Sequence, residues 1–178
     1  MVLIPLRGKV AAGRCTSVAD DVAGEVLKHR WHCDGEGYAC RNVYCGRQDG
    51  KQKNLRIWMH REVVRLHGTE ISDGQEVDHI NGDKLDNRWP ENLRVATRSQ
   101  NTANSKPHTG TSRYKGVSWN KRDRRWKAQI RHNGKLLYLG YFTDQIEAAK
   151  AYDTAALRLH GEYARCNFPQ GDTNEQVQ

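Results

Sequence analysis

Four side chains between Glu76 and Ser105, in EVDHINGDKLDNRWPENLRVATRSQNTANS, have the types and spacing for phosphodiester cleavage. Asp78 and the Asn101 side-chain carbonyl are hard oxygen donors, suited to one Mg²⁺ or Mn²⁺ that keeps several waters. His79 titrates near neutral pH and can take a proton from an attacking water. Asn92 can hold that imidazole by accepting from its other ring nitrogen. A metal would stabilise charge on the scissile phosphate and the departing 3′ oxygen. An Asp-His pair alone is unspecific. Its continuation through Asn-Gly-Asp, Asp-Asn-Arg, Glu-Asn-Leu and Asn-x-x-Asn gives the pattern its specificity.

Bringing these groups together requires strand, loop, strand and helix in succession. Val77 to Ile80 has the β-branched, half-apolar character of a short strand. Asn81-Gly82-Asp83 turns the chain, and Asn92 to Val95 returns it. Thr97-Arg98-Ser99-Gln100 has capping-box spacing, so a helix starts there and carries Asn101 and Asn104 on its early turns.

From Trp31 to Ser105 the chain resembles the HNH endonuclease family, in the branch typical of phage and intron homing enzymes, through VDHINGDKLDN…ENLR…QNTAN. The resemblance implies a ββα-metal fold, with His79 as general base and Asn92 as the middle Asn. It implies Asp78 and Asn101 as ligands of one divalent ion. The Met59-His60-Arg61 segment resembles one just before the family's catalytic strand. It puts His60 near the active site, where it assists at the phosphate or serves structurally, and makes Arg61 a phosphate contact. Arg88, leaving the motif loop, is a further phosphate candidate. The motif is not flanked by Cys-x-x-Cys knuckles, which argues against the zinc-stapled branch.

With 37% apolar residues and a mean hydropathy of −0.90, the 178 residues fit two modest cores better than one large core. The formal charge of +8 favours a polyanionic partner. No apolar run approaches the roughly 18 residues that span a bilayer. The N-terminal stretch lacks the basic and apolar regions of a signal peptide, so an intracellular protein without a membrane partner is expected. Cys33, Cys40 and Cys45 with His29 or His32 invite a zinc reading, but gaps of six and four residues do not match the usual close pairs. Reduced thiols, Cys15 and Cys166 included, and no structural zinc are the expectation.

Ahead of the motif lies a mixed β/α lead-in. Val2 to Ile4 reads as a strand, and Asp20 or Asp21 as the start of a helix to about Arg30 with Val22, Val26 and Leu27 buried. Tyr38 to Tyr44 and Leu55 to Trp58 read as paired strands turned by Gly46 to Gly50. Arg41, Arg47, Lys51, Lys53 and Arg56 make this hairpin basic, either as a solvated face or as a contact for DNA phosphates. Met59 to Gly68 reads as a helix with Val63, Val64 and His67 near one side.

Residues 106–112 are a linker by composition, leaving 1–105 and 113–169 as domains and 170–178 as a disordered tail. Tyr114 to Trp119, Trp126 to Arg131 and Lys135 to Tyr141 form three strands, the last two joined at Asn133-Gly134. Trp126, Ala128 and Ile130 face inward, so Lys127, Gln129 and Arg131 line the outer face. Thr143 or Asp144 caps an alanine-rich helix that lies close over the sheet. YKGVSW, WKAQIR, LGYF, EAAKAYDTAA and CNFP, in that order, resemble the ethylene-response-factor (Apetala-type) DNA-binding domain. In that family the sheet enters the major groove of duplex DNA. Carried over by position, Lys115, Ser118, Trp119, Gln129, Arg131 and Tyr138 fall on or beside the reading face. Lys121, Arg122 and Lys127 join them as DNA contacts.

Charge follows the same division: residues 113–168 hold 12 Lys/Arg and 5 Asp/Glu, a net +7, and residues 1–112 hold 17 and 14, a net +3. If the second domain neutralises about five phosphates, log K falls with log salt at a slope of roughly −4 to −5. The architecture expected is therefore α+β: a ββα-metal nuclease domain with a β-rich lead-in, then a three-stranded antiparallel sheet packed on one helix. The activity expected is single-metal, site-directed DNA cleavage by a monomer. The alternative is a DNA-binding regulator with a silent HNH fold.

Overall fold

The computed structural model describes residues 1–106 and 110–168. The middle of the expected linker, the last residue of the second domain and the whole expected tail lie outside those residues. The chain divides into two compact units, Met1–Ala96 and Thr97–Gln178.

The first unit opens with an antiparallel pair, β1 (Val2–Pro5) and β2 (Cys15–Val18), followed by α1 (Asp20–Leu27). Val22 and Val26 are buried on α1, one turn apart, as their spacing predicts. Leu27 is not: as the last helical residue it lies about 100° round from Val26 and is exposed. A three-stranded sheet follows in the order β3 (His32–Cys33), β4 (Ala39–Gln48), β5 (Lys51–Trp58). Its hairpin is longer than expected. The strands run on to an Asp49-Gly50 turn with φ of 51° and 74°, and the register breaks between Tyr44 and Arg47. Next comes α2 (Met59–Leu66), which buries Met59, His60, Val63 and Val64. Val18, Val26, Trp31, Met59, Val63 and Leu93 belong to one buried cluster.

The next pair is β6 (Gln75–His79) and β7 (Leu93–Thr97), whose last residue is the first of the second unit. The loop between them folds on its own side chains. Asn81 Oδ1 accepts from Asp83 N at 2.7 Å, and Asp83 Oδ1 accepts from Leu85 N at 3.0 Å. Ser17 on β2 then anchors it, donating its N–H to Leu85 O and accepting from Asn87 N, both at 2.8 Å.

The second unit begins with α3 (Arg98–Ala103), closed by the expected capping box: Thr97 Oγ1 accepts from Gln100 N, and Gln100 Oε1 accepts from Thr97 N. β8 (Val117–Asn120), β9 (Arg125–His132) and β10 (Lys135–Phe142) form an antiparallel sheet with β9 central. α4 (Gln145–His160) lies against it, capped by Asp144, whose Oδ1 accepts from Ile146 N and Glu147 N. The core is Val117, Ala128 and Ile130 against Ala148, Tyr152, Ala155 and Ala156. Close approach depends on Gly116: at φ +75° a Cβ there would lie 1.9 Å from Tyr152 Cδ2 and 2.7 Å from Gln129 O. Asp153, buried on α4, accepts from Asn167 N at 2.8 Å and Phe168 N at 2.9 Å. The Asn167 Oδ1 in turn accepts from Lys115 N, so one carboxylate ties the closing segment to the helix and the sheet.

Candidate active site and nucleic-acid interface

β6 carries Asp78 and His79 as neighbours with side chains on opposite sides of the strand, and both are buried. Each has its own partner across the loop or strand pair. Asp78 Oδ2 accepts from Arg94 on β7 at 2.9 Å, an ion pair with little access to water. His79 Nε2 lies 3.1 Å from Asn87 Oδ1, and Asn87 is fully buried.

The hydrogen-bond chain behind Asn87 sets the imidazole's tautomer. Thr16 Oγ1 donates to Leu85 O at 2.7 Å, so it accepts from Asn87 Nδ2, also at 2.7 Å. The Asn87 oxygen is therefore the atom turned to His79, and His79 Nε2 carries the proton. In the neutral ring the lone pair then resides on Nδ1. Burial pushes the His79 pKa below its ordinary value, opposed by the Asn87 bond and by the charges of Asp78, Asp83 and Asp86. Burial thus favours the neutral form of the ring.

This corrects the role expected of Asn92. Its Oδ1 accepts from Asn81 N at 2.9 Å and its Nδ2 donates to Asp86 O at 2.7 Å. Asn92 staples the motif loop shut, and Asn87 holds the imidazole. Arg88 Nε and Nη2 form a fork on Asp86 at 2.6 and 2.7 Å, which engages two of the five N–H donors of the guanidinium. Asp86 accepts as well from Ser17 Oγ and Asn81 Nδ2, and the Arg88 bonds chiefly hold its carboxyl below the usual range.

His60 on α2 stands with its ring centroid 5.3 Å from both His79 and Tyr38. It is buried, its Nδ1 has no hydrogen-bond partner among the described residues, and burial, then the His79 and Arg61 charges, lower its pKa to about 3. His60 is a neutral packing partner of His79. Lys84 Nζ sits 4.3 Å from the Tyr38 ring centroid and closes the outer side of that aromatic group. Arg61 is half-buried on α2.

Asn101 lies in the second unit, on α3. Among the described residues no three His, Cys, Asp or Glu side chains converge to hold a metal. Asp78 and Asn101 belong to different units, and each by itself offers a hard oxygen donor, a carboxylate in the first and an amide carbonyl in the second. Near Cys40, the Sγ approaches His32 Nε2 at 3.2 Å and the thiol's pKa is raised, chiefly by burial.

On the C-terminal sheet, register decides which residues face outward. Val117 pairs with Ala128 and Trp119 with Trp126, so these four share the helix-facing side. Trp119 and Trp126 meet edge to face at 5.0 Å, so of the two positions expected for Trp119, on or beside the outer face, it takes the second. Ser118 opposite Lys127, Tyr138 opposite Gln129, and Arg131 opposite Leu136 occupy the outer side. Lys121 and Arg122 stand exposed in the loop after β8, where Asn120 Oδ1 accepts from Arg122 N. Lys115 departs from expectation altogether. Its ammonium donates to the carbonyls of Ala103 and Ser105 at the end of α3, and burial lowers its pKa to about 8. Arg165 N donates to the same Ala103 carbonyl.

Sequence reasoning passed over Asn87, Asp86, Tyr38 and Arg94. The first two lie within the quoted LDN segment, and a buried Asp-Asn pair between turn residues was the available signal. Tyr38 gave none beyond its strand.

A family model described as HNH endonuclease matches residues 58–103, and one described as AP2 domain matches residues 112–162. The chain therefore carries an HNH endonuclease domain fused to an AP2 DNA-binding domain. Protein 3.8 of Escherichia phage T7 is 32% identical over 107 residues, covering 60% of this chain and 87% of that protein, and the chain belongs to the same family. APETALA2-like protein 2 of Oryza sativa subsp. indica is 29% identical over 155 residues, 85% of this chain. AP2-like ethylene-responsive transcription factor TOE2 of Arabidopsis thaliana is 41% identical over 71 residues, 40% of this chain. The chain spans only 33% and 15% of those two plant proteins. No helix among the described residues is long and apolar enough to cross a membrane.

Proposed function

We propose that this protein is a metal-dependent, site-directed DNA endonuclease in which His79 Nδ1 takes the proton from the attacking water. The observation that carries this reading is the Thr16–Asn87–His79 chain, because it fixes the orientation of the imidazole and the tautomer it holds. Asp78 and Asn101 would hold one Mg²⁺ or Mn²⁺, which when bound supplies charge stabilisation to the scissile phosphate and the leaving 3′ oxygen. Asn92 fixes the loop that carries Asn87, and His60 keeps water from the far side of the imidazole. Arg61 contacts a phosphate. Ser118, Lys127, Gln129, Arg131 and Tyr138 read duplex DNA, with Lys121 and Arg122 on its backbone. The working division is a nuclease domain over 1–105, a linker over 106–112 and a DNA-binding domain over 113–169, acting as a monomer.

One observation favours a second reading, a regulator with a silent nuclease fold: Asp78 is buried with Oδ2 engaged by Arg94. Cleavage of a library of random duplexes with Mg²⁺ or Mn²⁺, followed by mapping of the ends, separates the two. Nicks or breaks at a preferred sequence support the nuclease. Selection of a bound sequence without cleavage in either metal supports the regulator.

A further inference from the structure

A second cationic surface lies almost wholly outside both matched segments, on the β4–β5 hairpin (Ala39–Trp58). It holds Arg41, Arg47, Lys51, Lys53 and Arg56 against a single acid, Asp49, a net +4. Arg41 at the base is tied to Glu62 at 3.2 Å. Among the described residues none of the other four forms an ion pair.

We propose that this hairpin is a DNA arm whose cations contact backbone phosphates along one groove of a duplex. The inference rests on the reading above that the protein binds duplex DNA, and adds a contact surface separate from the C-terminal sheet.

Three features of the ribbon support it. First, the distal part buries almost nothing. Every residue from Lys51 to Arg56 is exposed, and so are Asn42, Tyr44 and Cys45 opposite them. An isolated two-stranded hairpin is marginal in water, so an extended one with no core of its own is costly unless its faces meet a partner. Second, the shape is suited to a groove. A two-stranded ribbon fits the roughly 12 Å width of the major groove of B-DNA. The Asp49-Gly50 turn has positive φ at both central residues, which keeps the tip narrow, and the bulge between Tyr44 and Arg47 twists the ribbon as groove tracking requires. Third, Asn42 pairs with Arg56 and Tyr44 with Asn54, so one face alternates amides with a cation and an aromatic ring, a surface suited to phosphate and sugar. Tyr44 and Leu55 are exposed by 59% and 57%, apolar surface that a groove wall would cover.

The test uses the full chain, a variant with Arg47→Gln, Lys51→Gln, Lys53→Gln and Arg56→Gln together, and Asp49→Asn. Each is titrated with one duplex over a range of salt and footprinted with hydroxyl radical. Each lost phosphate contact lowers the salt slope by about 0.9. The quadruple variant is expected to lose about 2 to 4 from the slope, to bind about tenfold or more weakly at moderate salt, and to lose one protected segment while another persists. Asp49→Asn, which keeps a residue tolerant of positive φ and removes the only acid, is expected to bind more tightly, an outcome misfolding cannot mimic. Binding by all three with the same slope and footprint overturns the arm and leaves the DNA-binding reading standing. Weaker binding of the quadruple variant at an unchanged slope also overturns it, because lost phosphate contacts must appear in the slope. If the unaltered protein fails to bind any duplex at low salt, the proposed function and the arm fall together.

Discussion

Acid should destabilise the N-terminal unit through His60 before it protonates most carboxylates. In the folded protein His60 is held near a pKa of about 3 by burial against Tyr38 and His79, with Arg61 adding repulsion and Asp34 opposing it weakly. In the unfolded chain it returns to about 6.5. Between these values the unfolded state binds a proton that the folded state refuses, so stability is complete above pH 6.5 and falls as pH falls toward 3. At about 1.4 kcal/mol per pKa unit the full loss is about 5 kcal/mol, and roughly 2 kcal/mol of it is spent by pH 5. The assay is urea unfolding of the full chain near pH 7.5 and near pH 5, followed by tryptophan fluorescence, which includes the buried Trp31. His60→Leu is the comparison, because it removes the titrating ring and the unpartnered Nδ1 together. Wild type should lose about 2 kcal/mol more than the variant between the two conditions. Equal losses would mean that His60 is solvated or already paired, and would refute the reasoning.

Two further substitutions test other parts of the structure. Gly116→Ala drives a methyl into the Tyr152 ring and backbone at a positive φ, so the C-terminal unit should lose about 3 kcal/mol or more; an unchanged Tm in a thermal melt would contradict the packing described. Asn87→Ala strands the His79 Nε2–H and releases the tautomer. It should destabilise by about 2 kcal/mol and lower single-turnover cleavage by an amount approaching the ~10²–10⁴ that a general base contributes, with DNA affinity unchanged. Full activity in that variant would remove Asn87 from the account.

What the sequence made legible was whatever repeats at a fixed period or sits at a fixed offset. Trp126, Ala128 and Ile130 face α4 because a strand alternates, and Thr97 with Gln100 closes α3 because a capping box is local. Pairing across strands is not local. Trp119 lies on the helix side, in alternation with buried Val117, and the register that sets it against Trp126 is what the sequence does not show. Lys115 leaves the reading face because the carbonyls that end α3 lie within its reach, a tertiary fact. The exchange between Asn87 and Asn92 has the same origin. Two amides five residues apart in one loop are equivalent until folding brings Thr16 behind the first and Asn81 beside the second. Position along the motif marked the loop as the candidate site, and only the hydrogen bonds gave each amide within it a partner.

The most direct measurement is single-turnover cleavage of a duplex by wild type and His79→Ala, with Mn²⁺ present and equal occupancy verified by gel shift. Loss of the base should slow phosphodiester hydrolysis by about 10²–10⁴-fold while binding persists. Cleavage by His79→Ala at the wild-type rate would show that no proton passes through this imidazole.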